Sequence, residues 1–268
     1  MNKTIRTYII PILLAFFISC EKEDTNNGYY CEESFDLLIS YMNMPRPDDS
    51  YDYPIRPCMN QWKEMTSTQE KIDACAIPIT ILKKMSTQAV IQALWEYPFS
   101  SEPIHEIGGR NAQKDFETVF YSNNAYKELL LRKDAGKELL IRISLVDAVC
   151  RGDNMFKPLM LELLISQSDF LTQLSNNEKK DLITIIFEKD SIRQEAGVHG
   201  ELGSYTSWML IGRTLLNSEY SPFVKEVSEN NVLKLFLETS MFFVNTLEEL
   251  RQVKQIILDN GKRFVNSK

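Results

Sequence analysis

The chain has 268 residues, a formal net charge of −7, 25% charged and 44% hydrophobic side chains, and two histidines. So acidic a balance argues against binding nucleic acid or gripping anionic lipid electrostatically, since both need clustered cations. The composition is globular, with a core for one large or two modest domains, and ten glycines, about half of average usage, favour helices over turn-rich β structure.

Lys3 and Arg6 open the chain, and an apolar run from Tyr8 to Ile18 follows, broken by Pro11. The run is too short for a stable bilayer span and reads as a processed leader over residues 1–19. It ends in Phe17-Ile18-Ser19-Cys20, which resembles the lipobox of bacterial lipoproteins: a bulky apolar residue, then a small residue directly before the cysteine. The resemblance implies that the Cys20 thiol receives a diacylglycerol and that Cys20 becomes the new N-terminus. Several acyl chains of the palmitate class would then give durable anchoring in the outer membrane. Glu21-Lys22-Glu23-Asp24 resembles the export tag of surface-exposed lipoproteins in the Bacteroidetes, which implies a domain facing outward. A solvated polar leader and a periplasm-facing domain is the other reading. Without Lys3 and Arg6 the net charge is −9.

Cys31, Cys58, Cys75 and Cys150 remain for redox chemistry. An oxidising compartment permits disulfides, and four cysteines allow three connectivities. Nearness in sequence favours Cys58 with Cys75, against four free thiols. No CxxC pair is present, and with His105 and His199 as the only histidines neither a metal site nor a cofactor is expected.

A lipidated cysteine and polar tether occupy residues 20–43, and a Pro-rich strap residues 44–66. Pro45, Pro47, Pro54 and Pro57 exclude helix there and favour extended backbone. Tyr51, Tyr53 and Trp62 suit packing along the domain better than a ligand platform. From Ser67 the pattern is helical. Ser67-x-x-Glu70, Ser175-x-x-Glu178 and Thr246-x-x-Glu249 fit the capping box, and Ser86, Asp134 and Asp153 fit N-caps. Pro222, after Ser221, suits a helix start. Glu96 to Gly109 is irregular and divides an N-terminal helical cluster, residues 67–109, from a larger array, residues 110–268. Met155–Ile165 and Val232–Val244 are apolar nearly all round, which predicts central helices. The last helix puts Leu247, Leu250, Val253, Ile257, Gly261 and Phe264 on one face. The fold class is all-α: an irregular helical bundle or short α-solenoid of antiparallel pairs, ten to eleven helices, with no strict repeat period.

Three stretches resemble segments of a group of uncharacterised Bacteroidetes lipoproteins. They are Tyr53-Pro54-Ile55-Arg56-Pro57 with Trp62; Ala74-Cys75-Ala76-Ile77-Pro78 leading to Leu82 and Ser86-Thr87; and Arg132-Lys133-Asp134-Ala135-Gly136 leading to Leu139-Leu140. The resemblance covers the first half of the mature chain and implies an extended proline segment, Ser-Thr helix entries and a Tyr-Pro exit, here Tyr97-Pro98. It brings no activity.

Candidate chemistry is sparse. Arg151-Gly152-Asp153 matches the tripeptide that animal integrins recognise, but Gly152 ending one helix and Asp153 capping the next explains it better. His105-Glu106 and His199 titrate in a useful range, yet no HExxH or GxSxG pattern supplies a metal or nucleophile. The segment from Gly197 to Gly203 suits a pocket loop or, more simply, a glycine-rich turn. Gly108-Gly109-Arg110 suits an anion nest or a plain turn. Asp190-Ser191-Ile192 resembles the O-glycosylation sequon of exported Bacteroidetes proteins. The expected role is a membrane-anchored, non-enzymatic interaction or scaffold protein binding a protein or glycan. The alternatives are an envelope enzyme with a carboxylate pair such as Glu106 and Glu201, acting on a carbohydrate, and a carrier with an apolar cavity.

Overall fold

A computed structural model of the chain describes residues 36–100, 112–150, 154–198, 205–240 and 246–267. Among them the chain is helical with no strand, and no helix is long and apolar enough to cross a membrane.

Packing starts ahead of the strap. Leu38 and Met42 are buried, and the indole N–H of Trp95 donates to the Leu38 carbonyl at 3.0 Å. Residues 44–59 hold no helix, as the prolines dictate, but the expected bounds are corrected: residues 36–40 of the tether and Asn60–Glu64 of the strap are helical, since no proline falls in either. The strap lies on helix α4 (Thr87–Glu96). Tyr53 is buried and its hydroxyl donates to the Ala93 carbonyl at 3.1 Å. Arg46 forks onto Glu96, with Nε to Oε1 at 2.8 Å and Nη2 to Oε2 at 3.1 Å. Tyr51 meets Tyr53 edge-on at 5.4 Å between ring centroids, so these tyrosines pack the strap down. Between the strap prolines and α4 come three short helices, α1 (Asn60–Glu64), α2 (Thr68–Ala74) and α3 (Ile79–Leu82).

The caps fall largely where side-chain chemistry places them. Ser67 with Glu70 opens α2 as a complete capping box, and Ser175 with Glu178 opens α10 (Asn176–Glu195) the same way. Ser86 accepts from Ala89 N–H at 3.1 Å, and Thr246 accepts from Glu249 N–H at 3.1 Å. Asp134 is different. It precedes α7 (Ala135–Leu145) but makes no cap bond, because its Oδ1 accepts the Thr87 hydroxyl at 2.8 Å and ties α7 to α4.

Two further helices, α5 (Ala112–Ser122) and α6 (Asn124–Leu129), lead into α7. Helix α8 (Lys157–Ile165) has all nine residues buried, as its all-round apolar pattern predicts. The second segment expected at the centre is corrected. Helix α13 (Asn231–Thr239) buries Leu233, Phe236 and Leu237, while Asn231, Lys234 and Glu238 stay exposed. The central place belongs to α11 (Tyr205–Asn217), buried from Thr206 to Gly212 and at Thr214 and Leu215. It packs against α8, α9 (Ser168–Leu171), α10, α12 (Ser221–Glu229), α13 and α14 (Leu247–Val265). A solenoid repeat touches only its neighbours, so a helix with this many partners makes the fold an irregular bundle. The described helices outnumber the ten or eleven expected, in part because α3 and α9 are single turns and α1 lies in the expected strap.

Close approach explains two glycines. A Cβ at Gly136 would collide with the Phe170 carbonyl oxygen, and Gly136 N–H donates to Gln173 at 2.8 Å. At Gly261 a Cβ would stand 3.0 Å from Ile211 and from Phe187, where α14 crosses the centre. On the same face of α14, Leu250, Val253, Ile257 and Phe264 are buried, whereas Leu247 is 52% exposed.

The apolar centre encloses one ion pair. Glu162 of α8 takes Arg193 Nη2 at 2.6 Å on Oε1, with the hydroxyls of Thr206 at 2.7 Å and Ser207 at 3.0 Å on Oε2. Both charged side chains are almost fully buried, at 2% and 1% exposure. Removing one member of such a pair strands the other, at a cost of roughly 3–5 kcal/mol. Arg193→Met is therefore expected to lose that much stability in urea unfolding. The double variant Glu162→Met with Arg193→Met should recover part of the loss, and equal losses in the two would show that the pairing does not matter.

Candidate binding cleft

Four elements of the bundle enclose an open cleft of about 590 Å³. Helix α5 contributes Gln113 and Glu117, four residues apart and so on one helical face. Helix α11 contributes Arg213, Leu216 and Asn217 by the same periodicity. The turn between α8 and α9 adds Ser166, Gln167 and Ser168, and α13 adds Glu238 near its C-terminal end. Volumes of this size suit a small ligand or one residue of a partner.

Arg213 is the fixed charge of the cleft. Its Nε donates to the Leu237 carbonyl at 2.8 Å and its Nη1 to the Ser166 hydroxyl at 3.2 Å. Neither acceptor carries charge, and Nη2 has no acceptor among the described residues. Burial lowers the Arg213 pKa to about 10, with Glu117 acting in the opposite sense, so the guanidinium is protonated at neutral pH. A partly desolvated cation without an ion-pair partner is an unusual arrangement. Gln113 Nε2 donates to Glu117 at 3.2 Å and to Gln167 at 3.0 Å, which leaves Gln113 Oε1 without a donor among the described residues. Asn217 Oδ1 is likewise without one. Glu117 and Glu238 stand exposed at the rim. The cleft thus offers a cation inside and two carboxylates outside, while the two amide oxygens are themselves buried. It has neither an aromatic platform nor a cysteine or histidine among the described residues that line it.

The chain matches no family model, no curated protein and no solved structure.

No described residue singled out in the sequence lines this cleft. Cys20 and the tag Glu21, Lys22, Glu23 and Asp24 fall outside the described residues, as do His105, Glu106, Gly108 to Arg110, Arg151 to Asp153, His199 and Glu201. Gly197 adopts φ 66° and closes α10, with Val198 N–H returning to the Arg193 carbonyl at 3.1 Å, the helix-ending turn its glycine suits. Ser191 sits inside α10, exposed, with its hydroxyl on Glu195 at 3.2 Å, while the neighbouring Asp190 is buried. The signal that would have found the cleft is Arg213, a single charge inside the apolar stretch Trp208–Leu216. No group of acidic, histidine or cysteine side chains among the described residues could hold a metal ion.

The cysteine pairing is corrected. Cys75 and Cys150 are free thiols, and both are buried. Cys58 is disulfide-bonded, with a partner outside the described residues. Cys75 ends α2 facing the core, with its thiol taken up by packing, while Cys58 is only half-buried, and nearness in sequence did not put the two side chains together. Desolvation pushes Cys75 and Cys150 up to about 12, which leaves almost no thiolate at neutral pH. Native protein is therefore expected to leave both unlabelled by iodoacetamide, to label them after unfolding, and to release the Cys58 peptide only on reduction. Mass spectrometry of Cys75 in a disulfide would contradict this.

Lys157, at the start of α8, is the other buried titrating group of interest. Its ammonium donates to the Trp95 carbonyl at 2.9 Å, the Tyr97 carbonyl at 3.0 Å and the Ser100 hydroxyl at 2.7 Å. Burial lowers its pKa from 10.5 to about 7, against the opposing pull of Glu96. A neutral amine fits the same place, donating to the two carbonyls and accepting from Ser100. Above about pH 7 the unfolded chain holds a proton that the folded chain does not, so stability rises with pH until about 10.5. Wild type minus Lys157→Met, followed by thermal melts, should rise between pH 7 and 9 by up to about 1.4 kcal/mol per pH unit. A flat difference would count against it.

Proposed function

We propose that the chain is a membrane-anchored lipoprotein of the outer membrane, surface-exposed, whose helical bundle acts as a non-enzymatic interaction protein. Its anchor is Cys20, its export tag Glu21 to Asp24, and its partner a protein or glycan that places a polar group in the Arg213 cleft. The observation carrying the binding role is Arg213 itself. Lys157 and Glu162 are consumed inside the fold by neighbouring helices, whereas Arg213 is held in place by two uncharged acceptors and keeps Nη2 open to an accessible cleft. Fixing a side chain before the ligand arrives reduces the entropy lost on binding.

Glu117 and Glu238 in the same cleft favour a second reading, an enzyme that uses a carboxylate pair on a carbohydrate. Binding is preferred because the described residues lining the cleft include no aromatic surface for stacking a sugar ring.

Cys20→Ser is expected to move the protein from the membrane pellet to the soluble fraction. Protease added to intact cells should then degrade the wild-type protein while sparing periplasmic controls, and proximity labelling from it should mark outer-surface neighbours. Full protection, with only periplasmic neighbours labelled, would overturn the surface location.

A further inference from the structure

The polarity of the cleft is ordered, and the order restricts the ligand. The guanidinium of Arg213 lies in the wall between α8, α11 and α13, partly desolvated, while the carboxylates of Glu117 and Glu238 are exposed. An anionic group reaching Arg213 Nη2 would supply a directly bonded counter-charge, where Glu117 acts on the guanidinium without a hydrogen bond. A ligand carrying several negative charges would meet the two rim carboxylates and be repelled. A simple cation would bind the rim and leave the guanidinium unpaired. Charge complementarity therefore selects a molecule with one carboxylate and at least one ammonium, its carboxylate inward and its positive end at the rim.

We infer that the Arg213 cleft binds a basic amino-carboxylate. Free lysine and the C-terminal lysine of a peptide share that chemistry, and two acidic rim residues against one arginine favour a basic side chain over a neutral one. The inference rests on the cleft being a binding site, as proposed above, and names what enters it.

Calorimetry on the full-length protein in detergent separates the sources. The probes are L-lysine, N-acetyl-glycyl-L-lysine with a free carboxylate, the same peptide as its C-terminal amide, 1,5-diaminopentane, L-glutamate and galacturonate. The expected result is binding of the two lysine carboxylates, with the amide and the diamine weaker by on the order of tenfold. A tighter grip on the peptide than on free lysine identifies a chain terminus as the source, and the reverse identifies the free amino acid. Glu117→Gln and Glu238→Gln are surface changes that should each weaken lysine several-fold and improve glutamate. Arg213→Lys should reduce the distinction between acid and amide, with thermal melts confirming the fold. Equal binding of amide and acid, glutamate binding as well as lysine, or no binding of lysine at millimolar concentration would overturn the inference. Galacturonate binding that depends on Arg213 would overturn it too while leaving a binding cleft. Chemical turnover of a lysine probe would instead overturn the non-enzymatic reading and leave the ligand class standing.

Discussion

Helix α8 is enclosed on every side, yet its sequence carries Lys157 at one end and Glu162 in the middle. A charge taken out of water costs several kcal/mol unless it is paired or fully hydrogen-bonded, so these two residues dictate what surrounds them. Glu162 draws Arg193 from α10 and the hydroxyls of Thr206 and Ser207 from α11, which sets two helices against the third. Lys157 requires three acceptors and finds them at the exit of α4, in the carbonyls of Trp95 and Tyr97 and the hydroxyl of Ser100. That exit carries Glu96, which fixes Arg46 and with it the proline strap. Glu96 also accepts from Gln92 at 2.8 Å, and Gln92 in turn accepts from the buried Arg142 of α7 at 3.2 Å. Apolar packing supplies the bulk of the stability, but it is non-directional. These polar links give the bundle its register.

Such links are what a sequence pattern hides. The strap was legible because proline acts on its own backbone, and the helix entries because a cap acts on residues two or three away. Helix α8 was legible because its apolar positions run all round. The central place of helix α11 is masked in the sequence by Thr206, Ser207, Arg213 and Thr214, which fall on one helical face. In the fold Thr206 and Ser207 serve Glu162, and Thr214 returns its hydroxyl to the Leu210 carbonyl at 2.7 Å, so they need no water. The converse error fell on α13, whose apolar count is high but whose Lys234 and Glu238 mark a solvent face. Asp134 shows a third kind of failure: its position predicts a cap, and a tertiary partner, Thr87, takes its carboxylate instead.

The same reasoning explains why Arg213 stands apart from the other interior arginines. Arg193 spends Nη2 on Glu162 and Ser207, and its remaining nitrogens are sealed in the core. Arg142 gives Nη1 to Gln92 and Nη2 to the Gln88 carbonyl at 3.3 Å, deep between α4 and α7. Neither lines the cleft, and the nitrogens they leave without acceptors among the described residues, Nε and Nη1 of Arg193 and Nε of Arg142, are buried. Arg213 is anchored through Nε and Nη1 and lines a cleft, and its third nitrogen has no acceptor among the described residues.

The walls of that cleft differ in kind, and this bears on how it works. Its inner side comes from α8, α9 and α11, elements whose positions are set by the buried network and by close packing, so Arg213 and Ser166 are held before anything binds. Its outer side comes from α5 and α13, amphipathic helices that contact each other and carry Glu117 and Glu238 exposed. Side chains on the inner side lose little freedom on binding, while those at the rim can adjust to the length of what they meet. A rigid cationic floor with an adaptable acidic rim discriminates by the order of charges along a ligand more than by its exact shape. It can therefore select a class of end-group without requiring a deep, closely fitted pocket.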